Sequence, residues 1–444
     1  MALKWLLCEC LAAMALPTRG SGVSELGMSL IQRAYGTSHS VAWANVSEAE
    51  RNGGLHFAYT LGCDHYQLVQ AVVLDHSWAQ VGNVGRLSRI VAGCKTHEIR
   101  KSLSTSPLAK DKRFATFFAE GELMAVPGRE KDIYPARSRP HAIAQWLEAT
   151  KPQEAMVAIL DPDFLFIQPL SSHPDLHLVR PGRMLAQQYD LGTDFMPGFA
   201  HAGEETPKLD FNEVVAKFAT GPPWVLDMKD LRRMLPDWAR YTDSWPKEKG
   251  LLREQEAFCM AAVHHKIPAR GQSSFMISNP SAWNEAWSAD KLHPEHWAPY
   301  VLHYCQSYNY GNWSFYKSLI SDDSIYGGQF QNTLSGPLQC DALLLQEPPA
   351  PPASEPDRSE FMKAWMLWKL FPALNKAFLA YRDVYCPAGS DKAAAKLVRT
   401  MDPRRCGSRT STRYRVTAGV AASWFSTGVP GDDLCSETAQ AAAM

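Results

Sequence analysis

Two aspartates one residue apart, Asp161 and Asp163, have the residue types and spacing in this chain that most suggest chemistry. They flank Pro162 and directly follow Ala155–Leu160, a run in which every residue is apolar. Paired carboxylates can supply oxygen ligands to a hard divalent cation, which neutralises a diphosphate beside a bond to be broken. Nearby acids on a loop are also common as solvated charges or helix caps, so the triplet alone leaves both interpretations open.

The strands and helices predicted around this triplet place it at one edge of a sheet. Leu55–Thr60 and Arg89–Ala92 are predicted strands, a helix is predicted over 66–78, and another amphipathic helix follows His141. Ala155–Leu160 has the apolar character of a strand covered on both faces. Strands that alternate with helices indicate an α/β sheet with parallel members, and ligands usually bind outside its carboxyl edge.

The rest of the chain divides into segments of different composition. Residues 197–222 are rich in Gly, Pro and charge and predict a loop, after which helical patterns cover 228–238 and 253–265. Aromatic residues are frequent over 302–316, which we expect to lie against the sheet. A proline cluster then precedes a helical pattern over 359–381.

These patterns predict four regions. We expect a signal peptide over 1–20, a main domain over 50–340, a Pro-rich linker over 341–358, and a helical, Cys-containing, partly disordered extension over 359–444. Glu9 interrupts the apolar N-terminal stretch, so a signal-anchor or a buried N-terminal helix are alternatives to the signal peptide. No later window has the ~20 apolar residues that a membrane span needs.

Composition excludes some partners and favours a compartment. With 444 residues and 45% hydrophobic content the chain can bury a full core, and its net charge of -1 gives no field that would gather nucleic acids or anionic lipids. Eight cysteines lie beyond the N-terminal stretch, without a CxxC pair, which favours disulfides over zinc and a secretory location. Reduced cysteines of a cytosolic enzyme are the alternative. Sequons at Asn45 and Asn312 add slight support.

Several segments occur in an order that resembles a known family. They are His56-Phe57 through Cys63, Gly85–Cys94, Asp132–Pro135, Ser138–Pro140, Gln145–Leu147, Ile159–Asp163, Gly221–Leu231, Glu254–Ala262, Val301–Tyr304 and Gly311–Phe315. Together they resemble the plant and algal peptidyl serine α-galactosyltransferases and, less closely, the hydroxyproline O-arabinosyltransferases. The chain departs from the family at Pro162, where a small residue is usual, and at Gln255–Phe258.

The resemblance implies both a fold and an activity. The fold is α/β, a GT-A type nucleotide-sugar-binding domain with a mixed, mainly parallel central sheet and a helical C-terminal appendage. The activity is transfer of galactose from UDP-galactose to peptidyl serine of hydroxyproline-rich, extensin-like proteins, with retention, assisted by Mn²⁺ or another divalent cation in the endoplasmic reticulum or Golgi lumen. The alternatives are a hydroxyproline O-arabinosyltransferase, a catalytically silent glycan- or peptide-binding homologue, and a sugar-nucleotide hydrolase.

The resemblance also implies a metal site and a donor site. His303 would join Asp161 and Asp163 as the third metal ligand, and an imidazole beside carboxylates suits Mn²⁺. Asp161 would also contact the donor ribose or a water. Arg89 and Arg139 are candidates for binding the diphosphate or uridine, because the fixed fork of a guanidinium suits phosphate. A core histidine and surface salt bridges are the alternatives for His303 and for the arginines.

Acids after the triplet are candidates for the catalytic roles. Glu254 matches a family acid near the transferred sugar, with Glu256 as its backup; a glutamate in the first turn of a helix is also favourable for the helix dipole alone. Asp227 is a candidate for the donor or acceptor pocket, or a helix cap.

Cysteine and histidine pairs complete the predictions. Cys63 and Cys94 match family cysteines and are the first expected disulfide, and Cys340 with Cys386 is the second, although sequence does not fix connectivity. The consecutive histidines 264 and 265 have no partner at metal spacing in the sequence and predict a polar helix end.

Overall fold

The fold is organised by a seven-stranded sheet, seen in a computed structural model that describes residues 54–189, 191–246, 250, 252–281, 285, 299–321, 336–351, 357–386 and 397–398. The strands are β1 Leu55–Gly62, β2 Arg86–Ala92, β3 Phe114–Phe118, β4 Ala125–Val126, β5 Arg129–Ile133, β6 Met156–Leu160, β7 Phe164–Phe166, β8 Met184–Gln188, β9 Thr220–Asp227, β10 Ala269–Gln272, β11 Met276–Ile277, β12 Val301–His303, β13 Ser307–Tyr310, β14 Trp313–Tyr316, β15 Leu344–Leu345 and β16 Leu397–Val398. The α-helices are α1 His65–Gln80, α2 His97–Ser104, α3 Ser138–Thr150, α4 Gly198–His201, α5 Phe211–Lys217, α6 Met228–Ser244, α7 Arg253–His264 and α8 Arg358–Tyr385.

The order of strands across this sheet is β3-β2-β1-β6-β9-β8-β10. Strand β9 is antiparallel to both of its neighbours, whereas the other pairings in the sheet are parallel. The carboxyl ends of β1 and β6 therefore lie on one edge, and Asp161 follows β6 at that edge. The predicted α/β fold class, with a mixed, mainly parallel central sheet and a C-terminal helix, is confirmed.

Alternating side chains of the sheet enter two hydrophobic clusters. On β1, Phe57 and Tyr59 belong to a cluster shared with α1 and α8, whereas Ala58 belongs to a cluster shared with α3, α6 and α7. Because both faces are covered, β6 is apolar at every position, which is how the sequence revealed it. The predicted strands and helices before Asp161 are all present, within a few residues of their predicted bounds.

The C-terminal helix α8 is part of the main core. Its residues Trp365, Phe371 and Phe378 are buried in the cluster that also contains α1 side chains. Asp357 caps its first turn by accepting a hydrogen bond from the backbone N–H of Glu360 at 3.0 Å. The predicted signal peptide over 1–20, the sequon at Asn45 and the tail beyond residue 398 lie outside the described residues.

The segment predicted as a loop, 197–222, contains α4, α5 and the start of β9. The prediction is wrong for that start, because its Gly and Pro residues suggested a break where a buried strand begins. Pro222 and Pro223 are tolerated in a central strand because the register of β8 against β9 shifts between Ala186 and Gln187, so the prolines fall in an irregular part of the ladder.

Two disulfides cross-link the residues that the structure describes. Cys63 is bonded to Cys94, between the ends of β1 and β2, and Cys340 is bonded to Cys386 at the end of α8. Both predicted pairings are confirmed.

Disulfides do not include every cysteine that the structure describes. Cys259 and Cys305 are free thiols. Cys259 is buried in α7 and donates to the backbone oxygen of Thr220 at 3.3 Å, so it serves packing. Cys406 and Cys435 lie outside the described residues. Among the helices that the structure describes, none is both long and apolar enough to cross a bilayer.

Candidate active site

Asp161, Asp163 and His303 meet beside the carboxyl end of β6. Asp161 directly follows this strand, and β7 pairs with β12 in a register that places Phe164 opposite His303. The Nε2 atom of His303 is therefore 3.1 Å from Asp163 Oδ2 and 3.8 Å from Asp161 Oδ2. One ligand atom from each of the three buried side chains lies within 4.8 Å of the others. The structure thus brings the three predicted metal ligands together.

Lys317 joins this group, although the sequence did not single it out. Its Nζ atom is 2.5 Å from Asp163 Oδ2 across a separation of 154 residues, which no local pattern could reveal. Burial by itself would raise the pKa of Asp163, but the charges of His303 and Lys317 hold it well below its usual range. Burial would likewise lower the pKa of His303, and Asp163 raises it well above its usual value. The buried acid is thus balanced by two cationic side chains.

Arg139 contacts the other aspartate. It lies in the first turn of α3, where Nη2 donates to Asp161 Oδ1 and Nη1 is 3.2 Å from Glu254 Oε2. Burial would lower the pKa of this guanidinium, but Asp161 and then Glu254 raise it. The structure therefore places Arg139 and Glu254, two predicted site residues, beside the aspartate pair.

Glu254 is buried at the start of α7. Its backbone N–H donates to the Tyr134 hydroxyl at 3.1 Å, and its carbonyl accepts from Trp238 Nε1 at 3.0 Å. Desolvation raises the pKa of its carboxyl to about 7, opposed by Arg139 and reinforced by Asp161. Glu256 is buried two residues later. Of these two glutamates, Glu254 is the one that contacts Arg139.

The raised pKa of Glu254 has a consequence for stability. Between its ordinary pKa near 4.5 and about 7 the folded state binds the proton more tightly than the unfolded state, so stability falls as pH rises through this window. The loss above the window is at most about 3 kcal/mol. Glutamine has no proton to lose, so we expect the melting temperature of Glu254→Gln, relative to the wild type, to be higher at pH 8 than at pH 5.

Thermal unfolding at both pH values, with a chelator present, measures this difference. Glu148→Gln changes an exposed glutamate of α3 and is the control, with a difference that does not depend on pH. If the relative stability of Glu254→Gln is the same at pH 5 and pH 8, the folded protein does not lose a proton from Glu254 in this range and the expectation is wrong.

The Tyr189 ring packs against Gly221 and is linked through Met276 to His303. The Tyr189 hydroxyl donates to Met276 Sδ at 3.6 Å, and the same sulfur is 3.2 Å from His303 Nδ1. A methyl group on Gly221 would overlap the Tyr189 ring, so only glycine fits there. In the sequence, Gly221 lies in the predicted loop and begins one of the segments that resemble the family, but neither observation indicated its contact with Tyr189.

Arg89 does not face this site, and its predicted role in donor binding is wrong. Its guanidinium is fully buried and forms an ion pair with Asp75 of α1. It also donates to the Tyr59 hydroxyl at 2.9 Å and to the backbone oxygens of Leu103 and Thr105 at 2.6 and 3.0 Å. All three guanidinium nitrogens thus bind groups of the core, and the side chain is directed away from the site.

Asp227 also lies away from the site, so its predicted place in the donor pocket is wrong. It pairs in register with Met156, the first residue of β6, whereas Asp161 follows the last. Its carboxylate accepts from the backbone N–H of Lys229 at 2.8 Å and caps α6. The alternative of a helix cap is therefore the correct one.

The residues at the site fit a divalent cation. Two carboxylate oxygens and an imidazole nitrogen form a donor set that Mn²⁺ accepts. Arg139 and Lys317 supply positive charge beside the two buried carboxylates, and His303 would bind a cation as the neutral imidazole, after losing the proton that it now shares with Asp163. The arrangement is suited to bind a metal ion together with a phosphate ligand.

Comparison with known proteins gives two sequence relatives. No family model matches the chain. A peptidyl serine alpha-galactosyltransferase of Arabidopsis thaliana is 24% identical over 281 residues, which are 60% of this chain and 31% of the relative. A protein of the same name from Chlamydomonas reinhardtii is 21% identical over 373 residues, which are 75% of this chain and 46% of the relative. The chain spans less than half the length of these curated relatives.

Two solved glycosyltransferases have limited structural similarity. The galactosyltransferase LgtC, in complex with donor and acceptor sugar analogs, gives a TM-score of 0.37 with 13% identity and covers 56% of this chain and 87% of its own. The bifunctional glycosyltransferase WbbM gives a TM-score of 0.35 with 8% identity, covering 57% of this chain and 46% of its own.

The sequence relatives bear out the resemblance found in the ordered segments: at the family level, this chain is related to the peptidyl serine alpha-galactosyltransferases.

Proposed function

We propose that this chain is a metal-assisted glycosyltransferase that transfers galactose from UDP-galactose to peptidyl serine of hydroxyproline-rich proteins, with retention. The observation that carries the proposal is the convergence of Asp161, Asp163 and His303 at the carboxyl edge of the sheet. The names of the two sequence relatives support the galactosyl donor and the serine acceptor. The two disulfides support a site of action in the endoplasmic reticulum or Golgi lumen.

Each residue of the site has a task in this proposal. Asp161, Asp163 and His303 hold a divalent cation, Mn²⁺ by preference, which when bound neutralises the charge of the donor diphosphate. Lys317 places its ammonium beside Asp163, where it adds a second positive charge for the leaving diphosphate.

Arg139 and Glu254 act on the side of Asp161. Arg139 fixes the Asp161 carboxylate through a charge-assisted hydrogen bond and is itself held by Glu254. A carboxyl with a pKa of about 7 exists in both protonation states near neutral pH, so Glu254 can donate to or accept from sugar hydroxyls. It is the acid we assign to orientation of the transferred sugar.

The proposal is tested with purified full-length protein, Mn²⁺, a serine-containing hydroxyproline-rich peptide and separate UDP-sugars. We expect the peptide to gain the mass of one hexose from UDP-galactose, and NMR of the product to show an α-linkage. A gain only from UDP-arabinofuranose supports the arabinosyl alternative, and free sugar released without peptide supports a hydrolase. Donor binding without any mass gain identifies a silent homologue and contradicts the proposed transfer.

Removal of Lys317 is expected to weaken binding of the nucleotide. Methionine at this position keeps the length of the stem but loses the ammonium, so UDP affinity at saturating Mn²⁺ should fall about 10- to 100-fold, the worth of one charge-assisted hydrogen bond. Isothermal titration with UDP measures this change. Lys208→Met removes an exposed lysine of the loop before α5 and should leave UDP affinity unchanged. Equal affinities of Lys317→Met and the wild type would show that Lys317 serves only to balance Asp163.

A further inference from the structure

A second cluster of metal-ligating side chains lies outside this site, where the end of α7 packs against α6. It consists of Asp237 on α6 and the consecutive residues His264 and His265. The histidines form a polar helix end, as the sequence predicted. Helix packing also brings them the carboxylate of Asp237, which lies 27 residues before His264 and 28 before His265 in the chain. We propose that Asp237, His264 and His265 bind Zn²⁺.

The ligand atoms face one another at suitable separations. His265 Nε2 is 2.7 Å from Asp237 Oδ2, and His264 Nε2 is 4.0 Å from the same oxygen. All three ligand atoms lie within 4.8 Å of one another. Zn²⁺ binds imidazole nitrogen and carboxylate oxygen at about 2.0–2.2 Å, so an ion between these atoms needs only small side-chain movements. The ion replaces the proton that His265 and Asp237 now share.

Hydrogen bonds behind the ligands orient them. Arg240 donates to Oδ1 of Asp237 at 2.8 Å, which leaves Oδ2 directed at the histidines. The Tyr241 hydroxyl donates to Glu204 at 2.7 Å and lies 2.9 Å from Nδ1 of His264. Since that hydroxyl proton is given to Glu204, the hydroxyl accepts from Nδ1–H, and Nε2 of His264 carries the free lone pair. Such outer partners fix the tautomer and ring orientation of metal-binding histidines.

The chemistry of the cluster selects the ion. Two imidazoles and one carboxylate favour Zn²⁺ over Mn²⁺, Mg²⁺ and Ca²⁺, which prefer sites richer in oxygen. Asp237 and Glu204 carry two negative charges and Arg240 one positive charge, so the net charge of these three side chains is negative and favours a bound cation. The partial exposure of the histidines gives the ion a path from solvent and leaves room for water as a further ligand.

Occupation of the cluster would tie α6 to α7. Glu254 lies in the first turn of α7, so the ion would hold the far end of the helix that carries this residue. The inference does not depend on the proposed transferase activity, because the two clusters share no residue.

Zn²⁺ titration of chelator-treated, full-length protein tests the site. Because Zn²⁺ can also bind at Asp161, Asp163 and His303, the titration compares Asp163→Asn with the same variant that also carries His264→Ala and His265→Ala. We expect the added alanines to weaken Zn²⁺ binding at least about 100-fold, since loss of an outer partner alone costs about 10- to 100-fold. Co²⁺ as a probe should give visible absorption bands in Asp163→Asn that the added alanines remove.

Two further comparisons test whether the alanines weaken Zn²⁺ binding only because they unfold the protein. Tyr241→Phe keeps the aromatic ring and removes only the hydroxyl that orients His264, so Zn²⁺ affinity should fall about tenfold. The wild type and His264→Ala/His265→Ala, both with the aspartate pair intact, should differ by one bound Zn²⁺ and have equal transferase activity with Mn²⁺. Equal Zn²⁺ affinity and stoichiometry with and without the histidines would overturn the proposal.

Discussion

Asparagine in place of Asp163 is expected to lower sugar transfer by about 10³-fold, the upper range for removal of one group that stabilises transition-state charge. Asparagine keeps the shape of the side chain but removes the charge that would hold the metal and that now pairs with His303 and Lys317. Peptide mass measured against time, at saturating Mn²⁺ and UDP-galactose, gives the rate. Circular dichroism verifies that the variant is folded.

Asp227→Asn is the matched control for this change. It is the same substitution at an aspartate beyond the opposite end of β6, and asparagine caps a helix about as well as aspartate. Its rate should therefore equal that of the wild type. Transfer by Asp163→Asn at more than about a tenth of the wild-type rate would contradict the assigned metal site, because loss of a group of this kind costs at least about 10²-fold.

Methionine in place of Arg89 is expected to destabilise the fold by about 3–5 kcal/mol, the usual result of breaking a buried ion pair from one side. Asp75 would then be left fully buried, with hydrogen bonds from Tyr59 and Ser106, each of 2.6 Å, but without a cation. Chemical denaturation measures the change in the free energy of unfolding. Folded Arg89→Met should bind UDP like the wild type, because the guanidinium lies in the core.

Arg86→Met tests whether position in the core, and not loss of an arginine, causes this effect. Arg86 lies on the same strand, its side chain is 65% exposed, and it is 3.5 Å from Glu154. Because this arginine is exposed and Glu154 keeps its contact with His56 at 3.1 Å, we expect Arg86→Met to cost at most about 1 kcal/mol. If Arg89→Met weakened UDP binding without loss of stability, the original assignment of Arg89 to the donor site would be restored.

The acids and the strand before them could be predicted from the sequence because that information is local. Six apolar residues followed by Asp161 and Asp163 indicate both a strand covered on two faces and the edge where it ends. The helices that flank this strand have apolar residues at helical spacing, and their bounds follow from it. The start of strand β9 was missed because its prolines are accommodated by a register shift between β8 and β9. This shift is a property of the pair of strands and cannot be seen in the sequence of one of them.

The resemblance to a family indicated His303, Arg139 and Glu254, but it also indicated Arg89 and Asp227. Arginine serves equally well as a phosphate ligand and as a buried partner of a carboxylate, so residue type cannot separate the two roles. The decision came from the approach of α1 to β2, which places Asp75 against Arg89. The direction of β9, antiparallel to β6, likewise placed Asp227 at the wrong end of the strand.

The sequence by itself determined the local elements, the apolar strand and the two acids that follow it. The tertiary structure alone decided which charged groups meet: Lys317 with Asp163, Arg139 with Asp161, and Asp237 with the two histidines at the end of α7. The physical reason is that a local pattern reports the period and burial of one element. The energy of a charge depends on what other elements bring within a few ångströms of it, across separations of up to 154 residues here.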